Sequence, residues 1–149
     1  LQLANQAAAI ANKGYYITPH LSRNDSMKSN VHTTLVDSAH FNVVHRGMAR
    51  VMTDGTGRWY NIPELQMCGK TGTVQNPHGE DHALFFGFAP MDNPQIAVAV
   101  AVENAGFGAT WACPMATLVM EQYLTGEIKR NALYERMVNA NLIDKENEQ

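Results

Sequence analysis

A five-residue string, Gly69-Lys70-Thr71-Gly72-Thr73, constrains this chain more than any other stretch. The apolar run before it, 62–68, reads as strand and continues through the string. Thr71 and Thr73 alternate with Gly72, so on a strand both hydroxyls point to the same side. Gly72 has no Cβ and lets another backbone come close. Lys70 adds a fixed positive charge, which can bind a carboxylate or hold a neighbouring hydroxyl in a reactive state. A strand of this kind suits an extended peptide. Its backbone pairs by strand addition, its hydroxyls take a carboxylate, and a backbone N–H beside them polarises a carbonyl.

The 149 residues are enough for one ordinary domain with a sizeable core. Apolar residues make up 45% and charged residues 17%, the balance of a globular chain rather than a disordered one. The net charge of −3 comes without a basic stripe, which excludes ordinary nucleic-acid binding. No apolar run approaches the roughly 18–20 residues of a membrane span, and no signal peptide is visible. The chain opens with Leu1-Gln2-Leu3-Ala4, inside a helical pattern and without a Ser, Thr, Asp or Asn cap. That start is expected of a piece of a longer protein. The two cysteines, Cys68 and Cys113, sit among small or apolar residues and read as buried free thiols, with a disulfide between them as the alternative.

Leu3, Ala7, Ile10 and Ala11 recur at helical spacing over 1–13, and Gly14 stops that helix. Tyr15-Tyr16-Ile17-Thr18-Pro19 is a short extended segment, and 22–33 is polar and reads as a loop. A second helix starts at Asp37 or Ser38, with Phe41, Val44, Met48, Val51 and Met52 on one face, and ends at Gly55 and Gly57. Three strands are expected over 62–75, 82–89 and 95–104. Short connections make consecutive antiparallel pairing the default. In the last strand Ile96, Val98, Val100 and Val102 share one face, and alanines suited to close packing under helices share the other. Pro114 lies in the first turn of a further helix, with Ala116, Val119, Met120 and Tyr123 inward and Gly126 at its end. Residues 127–142 read as a last helix, and 144–149 as a solvated tail.

Other signals compete with the first string. Glu64 to Thr71 resembles a phosphate-binding loop, but Glu64 stands where that loop needs Gly, and strand rather than helix follows. His78-Gly79-Glu80-Asp81-His82 gathers metal-ligand types, yet a Pro-Gly loop between two strands commonly carries such polar residues and its His-x-x-x-His is not on a helix, so a metal site is disfavoured. His40 and His45, on or near the second helix, read as surface or packing residues, while His20 and His32 carry no readable signal. Phe107 and Trp111 lie in a glycine-containing turn, where core or turn packing is favoured over walling a cleft.

Lys70-Thr71-Gly72 is followed by Asp81-His82-Ala83-Leu84-Phe85-Phe86-Gly87-Phe88-Ala89-Pro90 and then by Asn93-Pro94-Gln95-Ile96-Ala97-Val98-Ala99-Val100-Ala101-Val102-Glu103-Asn104. That ordered set resembles the C-terminal part of a bacterial class B penicillin-binding protein of the elongation (cell-shape) type. The turn from Glu103 to Trp111 extends the match, with Ala105 where the family usually has a second Gly. The resemblance implies an α/β (α+β) fold of the serine β-lactamase and penicillin-binding transpeptidase type, in which helices flank an antiparallel sheet. Residues 1–149 would be the last part of that domain, with the pedestal and membrane anchor upstream. By the same resemblance, Lys70 orients the catalytic network and attracts the substrate carboxylate. Thr71 and Thr73 bind that carboxylate beside Gly72, and the Thr73 N–H forms half of an oxyanion hole. No metal or cofactor is implied. The expected partners are peptidoglycan stem peptides, β-lactams and proteins of the elongation machinery, with the parent anchored in the inner membrane and working in the periplasm.

The family's nucleophile is a Ser-x-x-Lys serine. Here the serines are Ser22, Ser26, Ser29 and Ser38, and none has Lys three residues later. Ser22-Arg23-Asn24 spells the family's Ser-x-Asn but follows the first helix instead of preceding it, so it is a decoy. Acyl transfer needs a nucleophile, so the chain alone is expected to be inert and its parent to be a D-Ala-D-Ala transpeptidase. The alternatives are a β-lactamase or β-lactam sensor, and a non-catalytic peptide- or protein-binding module. With upstream strands missing, the 95–104 edge would lie open and the fragment would self-associate.

Overall fold

The computed structural model describes residues 1–20 and 30–143. The Ser22-Arg23-Asn24 triplet, Ser26, Ser29 and the 144–149 tail lie outside the described residues. Helix α1 (Gln2–Ala11) buries Ala7 and Ala11. Gly14, at φ +115°, then turns the chain into β1 (Tyr15–Ile17). β1 pairs antiparallel with β2 (Val31–Thr33), so the end of the segment read as a loop is strand. Polarity hid it because this ribbon is mostly exposed; it is held by its ladder and by Tyr16 stacked on His32 at 4.9 Å.

Helix α2 (Ser38–Thr53) is capped by Asp37, whose carboxylate accepts from the Ala39 N–H at 2.8 Å. Its buried stripe is Phe41, His45, Met48 and Met52, while Val44 is 42% exposed. His45 thus takes the inward place expected of Val44. Its Nε2–H donates to the Ile10 carbonyl at 2.7 Å, and its ring packs on Phe88 at 4.8 Å. The imidazole is buried because both of its polar and apolar needs are met there.

Strand β3 (Cys68–Val74) begins later than the apolar run suggests. Pro63 opens a 3₁₀ turn over Pro63–Leu65, and Gln66 adopts the left-handed conformation (φ 46°, ψ 50°), so 62–66 bends instead of pairing. β4 (His82–Ala89) and β5 (Ile96–Val102) follow, giving an antiparallel sheet in the order β3-β4-β5. One face of the sheet carries Ala83, Phe85 and Val98, packed on Ala112, Cys113, Ala116 and Met120 of α3 (Ala112–Thr125). The opposite face carries Cys68, Phe88 and Ala97, packed on Ala11 of α1 and Met48 of α2. The alanine face of β5 therefore lies under α1 and its valine face under α3, as the alternation implies.

Within α3 the buried residues are Ala112, Cys113, Pro114, Ala116, Thr117, Leu118, Met120 and Glu121. Val119 and Tyr123, read as inward, are 49% and 62% exposed. Glu121 displaces them because its charge is matched: its carboxylate accepts from the Lys129 N–H at 3.0 Å and from Arg130 Nε at 2.8 Å. Tying 129–130 back to Glu121 also shortens the last helix. α4 spans only Asn131–Val138, within the 127–142 stretch expected to be helical.

Candidate active site

β3 is an edge strand of its sheet. Its register with β4 sets Gly69 opposite Gly87, Thr71 opposite Phe85 and Thr73 opposite Ala83, so both threonines lie on the α3 side, as expected from their spacing. Lys70 and Gly72, opposite Phe86 and Leu84, belong to the other side. The Phe85 ring occupies the space above the glycine pair. A Cβ on Gly69 would fall 2.2 Å from that ring, and one on Gly87 would fall 2.3 Å from the Cys68 carbonyl. These two glycines let a buried aromatic lock the start of the strand.

Thr71 is 9% exposed, and its Oγ1 lies 2.7 Å from Thr56 Oγ1. Thr73 is exposed. Lys70 is exposed too; its Nζ donates to the Thr71 carbonyl, and no ion pair holds it among the described residues. The string thus offers one fixed hydroxyl, one open hydroxyl and a cation within four consecutive residues at a sheet edge. That arrangement can accept an extended chain ending in a carboxylate.

The turn between β5 and α3 lies against this strand. A Cβ on Gly108 would fall 2.2 Å from the Gly72 carbonyl oxygen and 2.3 Å from that of Leu84. A backbone does come close to Gly72, and the residue that permits it is Gly108. The same turn leaves Phe107 70% exposed, so Phe107 does not take the packing role favoured for it from its place in the turn. Trp111 does pack against the α3 core, and Arg136 lies over its ring at 5.4 Å.

Asp81 and His82 act at the rim of this strand pair. The Asp81 carboxylate accepts from the Asn76 N–H at 3.1 Å, and its backbone carbonyl accepts from the Ala105 and Gly106 N–H groups at 3.0 and 2.7 Å. His82 Nδ1 accepts from the Asn104 N–H at 3.1 Å, and Asn76 Nδ2 donates to Asn104 Oδ1 at 2.7 Å. These bonds clamp the β3–β4 hairpin to the turn that carries Gly108. Among the described residues, no three of His, Cys, Asp and Glu converge as a metal site.

Neither cysteine is a nucleophile candidate. Burial pushes both thiols up to about 12; Asp92 adds to this at Cys68, and Arg130 opposes it at Cys113. Both are free, and they belong to clusters on opposite faces of the sheet, which removes the disulfide alternative. Ser38, the one serine among the described residues, is exposed at the start of α2. Sequence reasoning missed Thr56, Gly108 and the Asn76–Asn104 pair. The glycines bracketing Thr56 were a legible sign of a tight turn, but nothing in them indicated the strand on which it closes.

Residues 1–121 match the family model described as the penicillin binding protein transpeptidase domain. The chain belongs to this family. It is 33% identical to the peptidoglycan D,D-transpeptidase MrdA of Acinetobacter baumannii over 83% of its own length, and 31% identical to that of Haemophilus influenzae over 90%. It spans only about a quarter of those relatives, 22% and 25% of their lengths. Among solved structures, Pseudomonas aeruginosa PBP2 in complex with WCK 5153 superposes with a TM-score of 0.72 at 38% identity, covering 87% of this chain and 31% of that one. The ceftriaxone acyl-enzyme complex of penicillin-binding protein A from Mycobacterium tuberculosis gives 0.71 at 27%, covering 82% and 31%. The elongation type expected from the sequence fits the MrdA and PBP2 relatives, and the fold is a partial domain of the penicillin-binding type. No helix among the described residues is long and apolar enough to cross a membrane.

Proposed function

We propose that this chain is the C-terminal part of the transpeptidase domain of an elongation-type penicillin-binding protein, and that β3 is its substrate strand. One observation carries the reading: in a chain of this family, Lys70, Thr71 and Thr73 stand together on a sheet edge, with Thr71 fixed and Thr73 open. In the complete domain a serine outside this sequence attacks the penultimate D-Ala carbonyl of a stem peptide. The Ser O–C bond forms, the C–N bond breaks, and D-Ala leaves with the proton. The amine of a neighbouring strand then attacks the ester, forming the cross-link and returning the proton to the serine. Lys70 attracts the terminal carboxylate and orients the serine's network. Thr71 and Thr73 hold that carboxylate beside Gly72, and the Thr73 N–H contributes to the oxyanion hole. β-Lactams acylate the same serine.

The chain by itself is inert on this reading, because it supplies donors and charge without the nucleophile. Its parent is anchored in the inner membrane, works in the periplasm and meets the elongation machinery there. On its own, the chain self-associates through the free edge of β5. A fluorescent-penicillin labelling gel tests the assignment by comparing this chain with a polypeptide extended upstream through Ser-x-x-Lys. Label on the longer polypeptide alone is expected. A folded longer polypeptide that takes no label would overturn the transpeptidase reading and favour a binding module. Label on the chain itself would show that one of its own serines is competent.

A further inference from the structure

Thr56 is the one residue from outside β3 whose side chain is hydrogen-bonded to a side chain of the Lys70–Thr73 string among the described residues. It lies on the turn that follows α2, and that turn has little freedom. The Gly55 N–H donates to Arg50 O and the Gly57 N–H to Val51 O, both at 2.9 Å. A Cβ on Gly55 would fall 2.8 Å from Val51 Cα and 2.9 Å from Val51 O. On Gly57 it would fall 2.6 Å from Met52 Sδ. The two glycines let the chain fold back tightly on the helix, and the residue between them is delivered to β3. There its hydroxyl meets Thr71 Oγ1 at 2.7 Å.

We propose that Thr56 is a positioning residue for the carboxylate subsite: its hydroxyl donates to Thr71 Oγ1, so that the Thr71 proton points at the substrate carboxylate. This deepens the reading of β3 given above and rests on it. The direction of the bond follows from the inventory of donors. A hydroxyl has one proton, and a carboxylate can only accept. Once Thr71 donates to a carboxylate, it has no proton left for Thr56. The 2.7 Å bond then survives only with Thr56 as donor. Two hydroxyls in series end on the anion, each polarising the next. Without Thr56, the part-buried Thr71 hydroxyl loses the partner that holds its rotamer and its proton.

The test uses the longer, penicillin-reactive polypeptide and the rate of acylation by a penicillin, measured beside the methyl ester of the same penicillin. Thr56→Val removes the donor with little change of shape. It is expected to slow acylation by the free acid about tenfold, the upper end for losing one neutral hydrogen bond, here the one that aims the Thr71 proton. The ester has no carboxylate to orient, so its rate should stay within about twofold, and Thr56→Ser should restore the acid rate to within about twofold of the parent. An unchanged acid rate in Thr56→Val would overturn the proposal. So would an equal loss on acid and ester, since that would make Thr56 a structural pin of β3. A parent polypeptide that fails to label refutes the transpeptidase reading and this inference with it, and that failure is seen before any variant is made.

Discussion

Adding a single methyl group at two glycines of this chain should have opposite effects, and the sign is set by what lies next to each. Gly108 has an ordinary backbone conformation, so the objection to a side chain there is purely steric. Its Cβ would lie 2.2 Å from Gly72 O and 2.3 Å from Leu84 O, more than 1 Å inside ordinary contact, and both atoms belong to the β3–β4 ladder. Backbone held in a ladder yields only if the whole turn lifts off the strand, breaking the packing of 106–111. Gly108→Ala should therefore cost about 3 kcal/mol, at the upper end for overpacking a tight site. Gly47, in the middle of α2, has nothing within 4 Å of where its Cβ would be. Gly47→Ala should stabilise by about 1 kcal/mol through helix propensity and a less mobile unfolded chain. Chemical denaturation measures both, and a thermal melt should separate the variants by roughly 12 °C at about 3 °C per kcal/mol for a domain of this size. Loss of less than about 1 kcal/mol in Gly108→Ala would refute the reasoning, because it would mean that the turn is not seated on β3 as described.

The two buried thiols make a pH-dependent prediction. Their protons are held up to about 12 in the folded chain against an ordinary value of 9.0, so stability is level below about pH 9 and falls as pH rises from there toward about 12. A thiol reagent should titrate neither cysteine in the native chain near pH 8 and both after denaturation; equal rates in the two states would contradict the burial. The proposed self-association through β5 is checked by light scattering, where dimers or larger species are expected. A monodisperse monomer at high concentration would count against it.

Periodicity and capping chemistry are properties of neighbours in the chain, and where they decided the outcome the sequence was enough. The start of α2 at Asp37 or Ser38, the Gly14 and Gly126 stops, the three consecutive antiparallel strands and the one-sided threonines of β3 were all legible from local spacing. The family was legible too, because an ordered string of residues identifies a relative without any knowledge of contacts. Errors arose wherever a distant group changed the local balance. Arg130 made Glu121 an inward residue of α3, and the Ile10 carbonyl did the same for His45 in α2, against the hydropathy of both. Pro63 and the left-handed Gln66 bent an apolar run that alternation alone would extend.

At the site, the sequence alone determined which hydroxyls and which cation share the strand, since that follows from a period of two along one backbone. Only the tertiary structure decided that Thr71 is fixed and Thr73 open, that Thr56 reaches Thr71 across fifteen residues, and that Gly108 rather than Gly72 supplies the close approach. Those are contacts between segments far apart in the chain. Local preference cannot specify them, because they exist only once helices and sheet have packed and each side chain has met the group that satisfies it.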